Sequence, residues 1–199
     1  MSLIATMFAL ATTTTPTTPS ADDFLTRLET MPVVLEDVSA AVDLNNGVDL
    51  EVNFNLSNVG SVTIAAQEDD DGSGHGLVLV GAAVVAEFDL AGDTVVWETV
   101  DLTGFRPEQV EAVAASILQV WREDEVAEAL AAAPTEPTED RSLKCTAAAG
   151  IAGATAGILI GATCGIFIKN PVTCGKAGGS AYGAVSHYIS NKCNGAQNG

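Results

Sequence analysis

The acidic residues and the cysteines of this 199-residue chain occupy separate parts of it. All 26 acidic residues lie between Asp22 and Asp140, and only three arginines accompany them, so residues 1–140 carry a net charge of −23. Residues 141–199 contain five basic residues, no acidic residue and all four cysteines, for a net charge of +5. An asymmetry of this kind predicts two parts with different structures and different roles.

The charge of the acidic part restricts its partners. Phosphate groups would repel residues 1–140, which argues against nucleic acid and against anionic membranes as partners of this part. Few lysines, many acidic residues and much alanine and valine are typical of a protein from a high-salt organism, where salt screens the self-repulsion. An acidic protein from a low-salt organism is the alternative.

Residues 21–133 are predicted to form an acidic α+β domain. Apolar and polar residues alternate strictly along 48–56 (VDLEVNFNL), which is the pattern of a half-buried strand. Short strands separated by turn residues favour an antiparallel sheet. The predicted elements, in chain order, are a helix at 22–30, strands at 48–56, 61–66, 77–90 (bent at Gly81) and 94–102, and one long helix at 107–132.

The long helix follows from apolar residues at three- and four-residue steps, after a proline that suits the first helical position. A sheet with one helix packed on it is an α+β layer arrangement. The positions that define the apolar face are Val110, Val113, Ala114, Ile117, Leu118, Trp121, Val126 and Leu130.

The acidic domain offers no motif for catalysis. Asp69, Asp71, Ser73 and Gly74 resemble the start of a calcium loop, but Val80 stands at the twelfth position, where a bidentate glutamate is needed. Residues 67–76 are therefore predicted to form a solvated turn that exposes His75. No phosphate-binding loop and no nucleophile motif is present. We expect no enzymatic activity, cofactor, metal or small-molecule substrate.

The N-terminal residues 1–20 contain an apolar run, Leu3–Ala11, followed by a stretch of threonine and proline. No lysine or arginine precedes the run, so it lacks the positive start of a signal peptide. A weak signal peptide, a truncated start and a disordered tail are three interpretations of this segment.

Residues 134–141 are predicted to form an extended linker, because they are rich in proline, threonine and acidic residues. Exposed segments of this kind are preferred sites of proteolysis. The charge changes sign at Arg141–Ser142, which is the predicted cleavage site. A plain interdomain linker is the alternative.

Residues 142–199 are predicted to form a small all-α helical hairpin. The 23 uncharged residues 146–168 would span roughly 35 Å as a helix, enough to cross a bilayer core. Lys169-Asn170-Pro171 predicts a turn, and 172–190 can return as an antiparallel helix. Four glycines at four-residue steps predict a groove for close helix packing: Gly153, Gly157, Gly161 and Gly165. Gly175, Gly179 and Gly183 continue this spacing in the second helix.

The cysteines have the spacing C-x18-C-x9-C-x18-C, symmetrical about the predicted turn. Nested bonds, Cys145–Cys193 and Cys164–Cys174, would join both ends of the hairpin, although two other pairings are open. Nineteen residues turn an ideal helix by about 100° beyond whole turns, so the two bonds cannot share one straight seam. The even number of cysteines and the lack of C-x2-C pairs favour disulfides in an oxidising compartment over a zinc site.

This layout resembles the halocin C8-type precursors of haloarchaea, through its acidic body, short linker and the segment KCTAAAGIAGATAGILIGATCGIF with two later cysteines. Residues 146–190 are also similar to bacterial glycine-zipper bacteriocins. The resemblance implies a C-terminal antimicrobial peptide and an N-terminal part that acts as its immunity or leader domain.

We therefore expect a secreted or cell-surface protein whose C-terminal peptide acts on the membrane of a competitor cell and self-associates there, and whose N-terminal domain is its intramolecular partner. The rival interpretation is an acidic surface protein that a permanent transmembrane hairpin anchors. His187 is expected to be a surface or interfacial residue beside Tyr188, since only one other histidine exists in the chain.

Overall fold

A computed structural model describes residues 19–45, 47–92, 94–134 and 141–195, without the side chains of Arg141 and Gly195. The predicted N-terminal run Leu3–Ala11 and most of the predicted linker lie outside the described residues. The elements in chain order are α1 (Ala21–Thr30), β1 (Leu35–Asp43), β2 (Val48–Leu56), β3 (Gly60–Glu68), β4 (Ser73–Val80), β5 (Ala83–Ala91), β6 (Thr94–Val100), α2 (Pro107–Val120), α3 (Asp124–Ala132), α4 (Arg141–Phe167) and α5 (Pro171–Gly195). The predicted fold class, an antiparallel sheet with helices followed by a helical hairpin, is confirmed.

The six strands form an antiparallel meander in the order β1-β2-β3-β4-β5-β6. The strand predicted at 48–56 has the observed bounds, and its alternate residues are buried. The buried face of the sheet, which includes Val52, Ile64, Val78 and Phe88, is covered by helices, and the other face is open to solvent. Alternation of this kind is expected when only one side of an antiparallel sheet is covered.

Helix α1 begins at a capping box. The Ser20 hydroxyl accepts a hydrogen bond from the Asp23 backbone N–H at 3.1 Å, and the Asp23 carboxylate accepts one from the Ser20 N–H at 3.1 Å. The backbone N–H groups of Ser20 and Asp23, which have no partner within the helix, are thereby paired. The hydrogen bonds from the Ser20 side chain and backbone hold the pKa of Asp23 below its usual value.

Strand β1 has no counterpart in the sequence prediction. Its pairing with β2 is interrupted by a register shift between Glu36 and Ser39, where Asp37 has a φ of +53°. Because a bulge shifts the side chains that follow it, the apolar residues of β1 do not alternate cleanly. The pattern that revealed β2 was therefore lacking here.

Two predicted elements are each divided in the structure. The strand predicted at 77–90 is two strands, because Gly81 adopts a φ of +61° and forms a turn after which Ala83 pairs back with Val80. The helix predicted at 107–132 is interrupted after Val120, and Glu123 is the extended N-cap of α3. This interruption lets α2 pack against α4 while α3 packs against β1 and α5.

The turn predicted at 67–76 is shorter than expected. Glu68 ends β3 and Ser73 begins β4, so His75 lies in a strand and not in a turn. Its Nδ1 lies 2.9 Å from the Asp89 carboxylate on the open face of the sheet. Asp71 accepts hydrogen bonds from the backbone and hydroxyl of Ser73, which lower the pKa of the Asp71 carboxyl.

Helix α4 is the central helix of the fold. It packs against β2, β4 and β6 on one side and against α2 and α5 on others, while α5 also contacts α1 and α3. Buried residues of the sheet, of α1–α3 and of the hairpin form one continuous hydrophobic cluster. The sheet, α1–α3 and the hairpin therefore share one core.

Candidate functional site: the cross-linked helical hairpin

The helical hairpin, formed by α4 and α5, carries two disulfides. Cys145 bonds to Cys193 and Cys164 bonds to Cys174, with Cα–Cα distances of 5.6 and 5.2 Å. All four cysteines are buried. Of the three pairings that the sequence allowed, the nested one is thus observed, and it closes the hairpin near its turn and at its open end.

The equal spacing of the cysteines resolves the rotation problem. Each helix has nineteen residues from its first to its second cysteine, so a contact seam that winds around both helices turns by the same amount on each. The cysteines therefore meet at both ends of a seam that is not straight. Each bond contributes on the order of 2–4 kcal/mol if it acts by restricting the unfolded chain.

Three of the predicted glycines lie against α5. A Cβ atom added at Gly153 would lie 2.0 Å from the Ser186 hydroxyl, and one at Gly157 would lie 3.0 Å from the Gly178 carbonyl oxygen. An added Cβ at Gly161 would lie 3.7 Å from the Cys174 carbonyl oxygen, at ordinary contact distance. The helix backbones therefore approach most closely near Gly153 and Gly157.

Gly165 lies outside this contact, in contrast to the prediction. It is exposed, and no atom lies within 4 Å of a Cβ added there. The neighbouring Cys164–Cys174 bond joins the helices near their turn, and Gly165 faces away from the junction.

Helix α5 contributes a different glycine from those predicted. Gly178 is buried, and a Cβ added there would lie 2.7 Å from the Gly157 carbonyl oxygen. The predicted Gly175, Gly179 and Gly183 all have open space at the Cβ position. The buried face of α5 instead follows the three- and four-residue steps of Cys174, Ala177, Ala181, Val185, Ile189 and Cys193.

Polar groups also join the two helices. The Ser186 hydroxyl donates a hydrogen bond of 2.9 Å to the Ala149 carbonyl oxygen. The Tyr182 side chain lies over Gly153 and Gly157. Sequence reasoning missed both residues, because serine and tyrosine in a glycine-rich helix give no signal of which face they occupy.

Helix α4 has the length and composition of a membrane span. It is the only such helix in the part of the chain that the structure describes, over Ser142–Phe167, and its most apolar 18 residues have a mean hydropathy of 1.7. Of its most apolar stretch, 61% is buried within the protein. Core helices of soluble proteins have the same length and composition. In this structure α4 is such a core helix, because the sheet and α5 cover it.

A small charged cluster ties the start of α4 to the acidic body, residues 21–133. The Lys144 ammonium group forms an ion pair with Asp70, and the side chain of Lys144 is only 13% exposed. Glu68 is the only buried charged side chain among the described residues. Burial raises the pKa of the Glu68 carboxyl, and the nearby positive charge of Lys144 opposes this rise.

A second charged contact lies near the end of α4. The Arg27 guanidinium group lies 5.7 Å from the centre of the Phe167 ring and 5.9 Å from that of Phe24, within the range of cation–π interaction. Arg27 also pairs with Glu111 of α2. One side chain of α1 thereby links α2 and the hairpin.

The remaining lysines of the hairpin lie on the surface. Lys169, in the turn with a φ of +56°, and Lys176 are exposed. Lys192 is also exposed and lies over the Tyr188 ring at 5.6 Å. His187 is exposed, with its Nε2 3.0 Å from the Asn191 amide.

The predicted cleavage bond, Arg141–Ser142, lies in the first turn of α4 and not in an extended segment. Ser142 accepts a hydrogen bond from the Thr146 hydroxyl at its carbonyl oxygen, at 2.9 Å. Pro134 is tied to the body by a backbone hydrogen bond from Leu44. Residues 135–140, between these points, lie outside the described residues.

Within the described ranges, no group of three or more histidine, cysteine, aspartate or glutamate residues is arranged to hold a metal ion. No family model, no curated protein and no solved structure matches this chain.

The close approach of α4 and α5 predicts opposite effects at two glycines of α5. Gly178→Ala should destabilise the protein by about 1–3 kcal/mol, because its methyl group would meet the Gly157 carbonyl. Gly183→Ala should stabilise it by up to about 1 kcal/mol, because alanine favours the helix and the site is open. Denaturant unfolding with the disulfides intact measures both, and equal effects would contradict the observed packing.

The charged cluster predicts a pH-dependent effect of Lys144. Lys144→Met should lower the free energy of unfolding at pH 7 by about 1 kcal/mol and should raise the pKa of Glu68 further, because the opposing positive charge is lost. A carboxyl whose folded pKa is raised destabilises the fold when it is ionised. The deficit should therefore shrink as the pH falls through the folded pKa of Glu68, which burial raises above its usual value.

The matched control is Lys176→Met, which removes an exposed lysine of α5. Urea unfolding at several pH values, at constant salt concentration, compares the two variants. A deficit in Lys144→Met that is the same at every pH, or no larger than that of the control, would refute the role of the cluster.

Proposed function

We propose that the chain is the precursor of a secreted antimicrobial peptide. In this proposal residues 142–199 are the membrane-active peptide, and the acidic body is the leader or immunity domain that keeps it inactive. The resemblance of the layout to halocin C8-type precursors, and of residues 146–190 to glycine-zipper bacteriocins, supports the class of function. The proposal assigns the chain no reaction, no cofactor and no nucleic-acid partner.

The observation that carries the proposal is the covering of α4. This helix is long and apolar enough to cross a bilayer, yet the sheet, α2 and α5 enclose most of its apolar stretch. A helix that is buried in one state can place the same side chains in lipid in another, because both surroundings remove apolar surface from water. The acidic body is then a shield for the hairpin.

Charge supports the direction of transfer. Residues 142–199 carry a net charge of +4 and residues 1–140 carry −23. Lys169 and Lys176 are already on the surface and can attract the hairpin to anionic lipid, whereas Lys144 is held by Asp70. Molar salt would weaken that attraction, so burial of apolar surface is the main driving force for insertion.

Cleavage of the chain does not by itself release the hairpin. Because the hairpin and the body share one hydrophobic cluster, cleavage between residues 134 and 141 leaves them associated until an apolar medium replaces the body. The target membrane provides that medium. In the membrane, Gly175, Gly179 and Gly183 form an open small-residue face, and we assign self-association to it.

Two disulfides indicate an oxidising environment for the folded protein. Secretion, or display at the cell surface, satisfies this condition and accords with action on another cell. Reduction would remove the restraints that keep α4 and α5 together once the body is absent.

Leakage from lipid vesicles tests the membrane activity. The oxidised hairpin fragment, which a cut within residues 135–140 releases with a few residues before Ser142 and which is then separated from the body, should release dye from anionic vesicles at micromolar concentration. The uncut chain should release much less, because its hairpin is covered. Intact vesicles at high concentrations of the purified fragment would contradict the proposal.

The alternative function is an acidic surface protein that a transmembrane hairpin anchors, and the length and hydropathy of α4 favour it. Mass spectrometry of the protein from its native source separates the two functions. The precursor hypothesis predicts a free fragment of about 58 residues, the length of 142–199, with all four thiols oxidised. An uncut chain that is found only in the membrane fraction would support the anchor.

A further inference from the structure

The two edges of the sheet are protected to different degrees. β1 carries a bulge and several acidic residues, and α3 packs against it. β6 pairs with β5 alone, and its outer edge over residues 95–100 meets no other strand in the described ranges. β6 also has a register shift against β5, which leaves Val96 as an extra residue, and it contains one acidic residue, Glu98. It contains neither lysine nor proline, no helix other than α4 covers it extensively, and its Val96 and Trp97 are 61% and 47% exposed. Natural sheets rarely leave such an edge uncovered, because it can pair with any other extended segment.

A groove runs alongside this edge. It has a volume of about 620 Å³ and lies between β6 and the hairpin. Its walls include Val95 and Val100 of β6 and, on the hairpin, Ile158, Gly175 and Gly179. The glycines leave room for the side chains of an occupant, and the only charged residue in the lining is Glu98.

The described chain begins beside this groove. Ser20 and Ala21 line a smaller depression together with Lys176 and Gly179, and Gly179 also lines the groove. The residues before Ser20 therefore start next to one end of the groove.

The N-terminal residues have the composition and length to fill it. Leu3–Ala11 contains nine uncharged and mostly apolar residues. The eight residues that separate it from Ser20 can span about 26–29 Å when extended. Nine residues in a strand extend roughly 30 Å, somewhat more than the length of β6.

We propose that Leu3–Ala11 pairs with the free edge of β6 as a seventh strand and places alternate apolar side chains in the groove. The segment satisfies backbone groups of β6 and covers its exposed apolar residues. This inference does not depend on the antimicrobial function, since it concerns the full chain before any processing.

A second copy of the chain is the competing occupant. Each copy carries a net charge of −18, so two copies repel each other at low ionic strength. The N-terminal segment is uncharged and is tethered beside the groove, which gives it a high effective concentration. These differences favour the intramolecular partner.

Hydrogen exchange of β6 amides tests the proposal on three proteins: the full chain, a chain that begins at Pro19, and the double variant Ala5→Asp/Phe8→Asp. The two positions lie on opposite faces of a strand, so one aspartate enters the groove in either register. The outward-facing amides of β6 should exchange at least ten-fold faster in the shortened chain and in the variant than in the full chain.

The matched control is Thr12→Asp/Thr15→Asp, which adds the same charges at the same spacing outside the pairing segment and should keep the slow exchange. Amides of β2 and β3 report whether each protein remains folded. Equal exchange of β6 in all four proteins would overturn the proposal. Slow exchange that persists in the shortened chain and increases with protein concentration would also overturn it, and would identify a second copy as the occupant.

Discussion

The burial of α4 between the sheet and α5 is the interaction on which the rest of the structure depends. Glycine is a poor residue for the interior of an isolated helix, where each costs about 1 kcal/mol relative to alanine. In this fold Gly153 and Gly157 allow α5 to approach at backbone contact, and the buried apolar residues of α4 belong to the same hydrophobic cluster as the sheet. Tertiary packing and two disulfides therefore stabilise a helix that its own composition disfavours.

The strong charge of the chain is arranged so that it scarcely enters this packing. Nearly all described acidic side chains lie on the open face of the sheet or on the outer sides of the helices. In the described ranges the hairpin meets the body mainly through apolar residues, and charged contacts lie near the two ends of α4, at Lys144 and at Phe167. Screening by salt consequently acts on the periphery of the interface and leaves its apolar centre unchanged.

The sequence predicts those elements of the fold whose pattern is confined to a few neighbouring residues. The alternation in 48–56 gave β2 its observed bounds, and the proline at 171 placed the hairpin turn between α4 and α5. Strand β1 gives no clear signal because the bulge at Asp37 disrupts its alternation, and Gly81 forms a tight turn where the sequence predicts a bend. The helix predicted at 107–132 is two helices, α2 and α3, because each packs against different elements. The periodicity of apolar residues does not reveal this difference in packing partners.

The hairpin shows the same limit at the level of single residues. Four-residue spacing identified the glycines of α4 that touch α5, except Gly165, but it selected Gly175, Gly179 and Gly183 in α5 where the contact is made by Gly178. The ion pair of Lys144 with Asp70 joins residues that are 74 positions apart, and no local pattern encodes such a pair. Residue spacing therefore predicts that the two helices pack closely, but it does not predict which face of each helix makes the contact.

The shared hydrophobic cluster makes the two parts of the chain dependent on each other. A body that lost α4 would expose the inner face of β2 and β4 to water, while a hairpin that lost the body would expose the buried side of α4. Separation in water is therefore unfavourable for both parts, at roughly 25 cal/mol for each Å² of apolar surface uncovered. Under the precursor proposal, the target membrane takes up the hairpin and excludes the acidic body, whose charge anionic lipid repels. The asymmetry of charge along the chain would then decide which part leaves the complex for a bilayer and which part remains in water.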